Sequence, residues 1–198
     1  MSHGVPTAAT EANGLRHQLT ALLSGTPAPR MVFKTAPSHV SRFCLALLEH
    51  LLADGKRRGL VVCIDIPPNL LVRLLQRRGI DQSRVAFVDA VGMVAPLPME
   101  PSANVGDRLV NAVEAKVNAA QQNGATADFV LIDNLSVLAC YFPTATIRAL
   151  LDRLERRQGL EVYVAAPSTL APSWLLEVAP VLRAVDIDRT ATSVAHPA

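Results

Sequence analysis

Apolar positions along this chain alternate between short continuous runs and longer stripes spaced by three and four. A run at residues 31–33 is followed by Val40, Phe43, Cys44, Leu47, Leu48 and Leu51, which share one face of a helix. Asp54-Gly55 ends that stripe, with glycine suited to a left-handed helix cap. Residues 60–64 are then apolar without a break, as in a strand buried on both faces. Pro67-Pro68 opens a second helix through Leu70, Leu71, Leu74 and Leu75, closing at Gly79. A strand at 85–88 ends at Asp89, and residues 91–104, with their prolines and methionines, read as a loop. A helix over 106–123 carries Val110, Val113 and Val117. A buried strand at 129–132 ends at Asp133, and a helix over 144–157 aligns Ile147, Leu150, Leu151 and Leu154. A strand at 160–165, a short helix at 173–178 and a last strand at 181–185 complete the alternation. This order predicts βαβ units: an α/β fold of three αβα layers around a mostly parallel sheet.

The ends of the chain lack this pattern. The first 28 residues are small, polar and punctuated by proline. Their one apolar patch, 15–23, predicts a short, loosely docked helix. Three parts follow: a flexible lead-in over 1–29, one domain over 30–188 and a flexible tail over 189–198.

Composition narrows the function classes. Of 198 residues, 50% are apolar and 18% charged, enough to build a core. No apolar run is long enough to span a membrane, and the first residues carry no secretory pattern. Aromatic residues make up only 4%, which argues against stacking nucleic-acid bases on exposed rings. The net charge of +2 demands no polyanionic partner. Cys44, Cys63 and Cys140 lie far apart in apolar settings, without zinc-ligand spacing, and read as reduced thiols of a cytoplasmic protein. The five histidines are scattered, and none is placed to make a metal pair.

Parallel sheets hold ligands beyond the carboxyl ends of their strands. Asp65, Asp89 and Asp133 stand at such ends, where aspartate also starts turns and caps helices. The stretch Phe129-Val130-Leu131-Ile132-Asp133-Asn134-Leu135-Ser136-Val137-Leu138 resembles the Walker B strand of the RecA/KaiC class of P-loop ATPases. Residues 60–70, LVVCIDIPPNL, resemble the second strand and following helix of KaiC-like domains. The likeness spans about residues 30–188.

That resemblance implies a phosphate loop, G-x-x-x-x-G-K-[ST], after the first strand. Counted back from Leu45, its eight positions are Ala36, Pro37, Ser38, His39, Val40, Ser41, Arg42 and Phe43. Ala36 and Ser41 stand for the glycines, Arg42 for the lysine and Phe43 for the hydroxyl that ligates Mg²⁺. The backbone curl, the compact ammonium and the metal ligand are thereby lost together. The family's acidic pair after strand two is reduced to Asp65-Ile66. Asp133, left without a Mg²⁺ partner, reads as a cap for the next turn. The resemblance therefore implies a pseudo-ATPase with no cofactor, a structural or regulatory subunit working as a homo-oligomer or beside a related RecA-like subunit.

Two alternatives stay open. Altered nucleotide or anion binding would use His39, Ser41, Arg42, Asp65 and Asp133. Nucleic-acid binding, the less favoured, would use the clusters Lys56-Arg57-Arg58, Arg73/Arg77/Arg78 and Arg153/Arg156/Arg157, although all three lie near helix ends, where cations are favoured anyway. Met93, Leu97 and Met99 in the 91–104 loop are interface candidates.

Overall fold

The computed structural model describes residues 8–24, 29–94, 105–122 and 127–187. Its core is a six-stranded sheet made of β1 (Arg30–Thr35), β2 (Gly59–Cys63), β3 (Val85–Asp89), β4 (Phe129–Ile132), β5 (Glu161–Pro167) and β6 (Arg183–Asp186). The order across the sheet is β3-β2-β4-β5-β1-β6, and every neighbouring pair is parallel. The expected α/β class and its layers are present.

Successive side chains of a strand point to opposite faces, so a strand covered on both sides reads as one apolar run. Met31, Phe33, Val61, Leu131 and Tyr163 face one helical layer: α1 (Ala8–Leu23), α2 (Val40–Leu52) and α3 (Pro68–Arg77). Val32, Val62, Val130, Ile132 and Val164 face the other: α4 (Ala90–Val94), α5 (Val105–Gln122), α6 (Leu135–Tyr141), α7 (Thr144–Glu155) and α8 (Pro172–Val178). The α2 stripe buries Val40, Phe43, Cys44, Leu47, Leu48 and Leu51 as its spacing predicts. Gly55 and Gly79 close α2 and α3 with φ of 72° and 70°, where a Cβ would be strained.

The structure departs from the sequence reading in four places. The N-terminal helix is longer than the 15–23 patch and is docked: Leu19 has zero exposure, and Arg16 pairs with Glu49 of α2 at 3.7 Å. Residues 135–141 form α6, where the sequence suggested no separate element; its two apolar anchors, Leu135 and Leu138, are too few to establish a period. The 91–104 stretch opens as helix, because α4 runs to Val94. Finally, β6 starts at Arg183, and Val181 before it is 48% exposed. The tail over 189–198 lies outside the described residues.

Candidate functional site at the carboxyl edge of the sheet

Asp133 is the buried centre of the carboxyl edge. It follows β4, and its side chain belongs to a residue only 1% exposed. Its carboxylate oxygens accept from three successive backbone N–H groups beyond β2: Ile64 at 2.8 Å, Asp65 at 3.1 and 3.3 Å, and Ile66 at 3.0 Å. One carboxylate thus ties the loop after β2 to the end of β4. The cap expected of Asp133 is supplied by its neighbour: Asn134 accepts from the Val137 N–H at 3.2 Å and opens α6. Asn134 is the better cap because Asp133 is turned into the sheet, away from the helix. Nothing in the sequence separates these two roles, since both residues suit a cap equally.

Burial pushes the Asp133 carboxyl up to about 6, while the N–H groups of Ile66, Ile64 and Asp65 pull it down and the Asp65 charge adds to the rise. The Cys44 thiol on α2 donates to the Asp133 carbonyl at 3.0 Å. Its pKa is raised by burial first, then by the charges of Asp133 and Asp65 and by the neighbouring Cys63. Cys63 is raised as well, by burial and by Asp133 and Asp89. Both thiols are therefore protonated and inert at neutral pH.

Above Asp133 lies the β1–α2 connection. It is a single 3₁₀ turn over Pro37–His39, and the His39 N–H is spent on the Ala36 carbonyl at 2.8 Å. Ala36, His39 and Val40 all have negative φ, so the left-handed residues that would curl N–H groups around a phosphate are missing at these positions. Because α2 begins at Val40, half of the counted eight-residue loop is already helix. Phe43 is consequently a core side chain, 2% exposed, with its ring centroid 5.2 Å from that of Phe33. The hydroxyl that reaches the edge is Ser41, which donates to the exposed Asp65 carboxylate. The sequence named both residues but not their pairing, which depends on how α2 sits over β2. His39 and Arg42 are exposed on the same edge.

The other sequence candidates fall elsewhere. Met93 is half-buried on α4 against the core under α5 and α6, while Leu97 and Met99 lie outside the described residues. The arginine clusters are partly committed within the chain. Arg57 bonds Glu161, Arg78 bonds Glu49, and Arg153 meets Glu114 at 2.7 Å. A cavity of about 210 Å³ lies at the opposite, amino edge between Val117, Asp128, Arg157 and Leu160, away from Asp133. Among the described residues, no group of three or more His, Cys, Asp or Glu is placed to hold a metal, and no helix is long and apolar enough to cross a membrane.

No protein-family model matches this sequence, and no curated protein matches it significantly. Solved structures do. A KaiC-like protein from the hyperthermophilic archaeon Pyrococcus horikoshii OT3 aligns with a TM-score of 0.56 at 16% identity, covering 82% of this chain and 73% of the other. The two share a fold.

Proposed function

We propose that this protein is a non-catalytic RecA/KaiC-like subunit that acts by assembling with copies of itself or with a related RecA-like chain. One observation carries the reading. The carboxylate that the family resemblance would place beside Mg²⁺ is buried and fully engaged by three backbone N–H groups. The residues around it do not fit a magnesium–nucleotide group either. The loop offers no motif glycine or lysine, the 3₁₀ turn consumes an N–H, and Ser41 is held by Asp65. Phosphoryl transfer depends on positioning and charge from those groups, so their joint loss removes the activity rather than weakening it. The KaiC-like neighbour supports the fold part of this reading.

Purified protein is expected to hydrolyse Mg·ATP no faster than the buffer blank. Turnover that depends on Mg²⁺ and disappears in Asp133→Asn would refute the proposal, since a contaminating ATPase would ignore that substitution. Native mass measured with and without ATP tests the assembly half, and the expected mass is multimeric and indifferent to ATP. A melting temperature that rises with ATP would instead assign the edge around His39, Ser41, Arg42 and Asp65 to anion binding. The exposed Asp65 carboxylate beside Ser41 opposes that second reading, because it repels phosphate.

A further inference from the structure

Two basic stretches that are separate in the sequence meet at one corner of the molecule. Residues 56–58 lead into β2, and Arg77 and Arg78 close α3 just before β3. Since β2 and β3 pair in parallel, with Gly59 opposite Val85, both stretches stand at the amino ends of neighbouring strands. Lys56, Arg58 and Arg77 are exposed there, as is Arg78, which also pairs with Glu49 of α2. Arg57 and Arg84 between them are half-buried and turned to internal work, Arg57 on Glu161 and Arg84 on the Leu52 carbonyl at 3.1 Å. The carboxyl ends of the same two strands carry the opposite sign. Asp65, which accepts from Ser41, and Asp89, which accepts from the Gly92 N–H at 2.8 Å, are both exposed, and Leu70 on the first turn of α3 is 47% exposed. The exposed Arg42 offsets part of this charge.

The polarity follows from the topology. Each helix runs back against its strand, so helix carboxyl ends, which favour cations, gather at the amino edge. Aspartates that start turns gather at the carboxyl edge.

We infer that this corner is a head-to-tail interface between copies of this chain, the basic amino ends of β2 and β3 in one copy receiving Asp65, Asp89 and Leu70 of the next. The inference rests on the assembly reading and makes the partner specific. A second copy fits better than a polyphosphate. Asp54 and Asp81 sit exposed among the cations, already capping backbone N–H groups, and would repel a phosphate track. A protein surface presenting two carboxylates and an apolar side chain tolerates that mixture. Such a contact joins different patches, so it propagates into a ring or an open chain.

Sedimentation velocity tests this. Wild-type protein is expected to be multimeric at about 50 mM NaCl and monomeric at about 500 mM, where screening shortens to a few ångströms. Lys56→Glu/Arg58→Glu/Arg77→Glu, which breaks no bond used above, is expected to be monomeric at low salt. Asp65→Lys/Asp89→Lys is expected to be monomeric too, and mixing the two variants is expected to restore alternating multimers that neither forms alone. Circular dichroism melts of each variant separate lost assembly from lost folding. Multimers indifferent to salt and to both reversals would overturn this interface and leave assembly standing. A wild-type chain monomeric at every concentration would overturn self-association itself, leaving only a related chain as partner. DNA binding lost in the amino-corner variant would reassign the patch to nucleic acid.

Discussion

Asp133→Ala is expected to cost about 2–4 kcal/mol at pH 7, and more at pH 5. The substitution leaves three N–H groups beyond β2 without their acceptor. Each buried donor left unsatisfied costs about 1–3 kcal/mol. Against this stands the charge itself. The carboxyl titrates at about 6 in the fold, because burial outweighs the three N–H bonds, whereas an unfolded aspartate titrates near ~3.9. The folded state therefore binds the extra proton between these values. The stability this gives is complete below about pH 4 and is lost as the pH climbs through about 6, about 3 kcal/mol in all. At pH 7 alanine removes both the bonds and a costly buried charge; at pH 5 it removes mostly the bonds. Urea midpoints at the two pH values check this. Equal losses at pH 5 and 7 would show that the carboxylate is not held as described. Asp133→Asn is expected to abolish this pH dependence and still to destabilise, since its one amide oxygen replaces a single carboxylate oxygen and its NH2 group faces an N–H that the other oxygen had accepted.

The fold was legible because burial on both faces leaves a plain mark. Residues 60–64 and 129–132 are continuous apolar runs, and the α2 stripe holds its period from Val40 to Leu51. Short elements leave no such mark: α6 behind β4 has no period to read, and the apolar pattern predicts β6 two residues before its start at Arg183. Asp65 and Asp133 follow the carboxyl ends of the parallel strands β2 and β4, the position their place after apolar runs predicts. What those residues do there was not legible. The Asp133 clamp uses backbone N–H groups of Ile64 and Ile66, which no side-chain pattern reports. The stripe that starts at Val40 already assigns Phe43 to the core, whatever position the loop count gives it; the pairing of Ser41 with Asp65 is what neither pattern contains. The stripe gives the phase of α2, but which loop lies opposite its polar side depends on how α2 packs over the sheet.

Gly59→Ala is expected to destabilise the protein by about 2–3 kcal/mol, although removing a glycine from a strand ordinarily helps by about 0.5–1 kcal/mol. Gly59 starts β2 opposite Phe129 of β4. A Cβ built on it lies 2.2 Å from Phe129 Cζ and 2.3 Å from Cε2, well inside contact distance. The ring has little room to yield. Phe129 is fully buried, and the Arg57 guanidinium lies 5.4 Å from its centroid, held by Glu161, which also accepts from the Tyr163 hydroxyl at 2.7 Å. The backbone is pinned as well: the Asp128 N–H donates to the Arg58 carbonyl at 2.8 Å, and the Asp128 carboxylate accepts from the Arg58 N–H at 2.7 Å. Overpacking at a site fixed on every side overcomes the entropic gain. A double-mutant cycle identifies the cause. Phe129→Ala alone is expected to cost about 3–5 kcal/mol by opening a cavity. In the double variant the methyl group has space, so its penalty vanishes and the coupling is about 2 kcal/mol in the favourable direction. Strictly additive losses would mean that the glycine is needed for some reason other than the ring across from it.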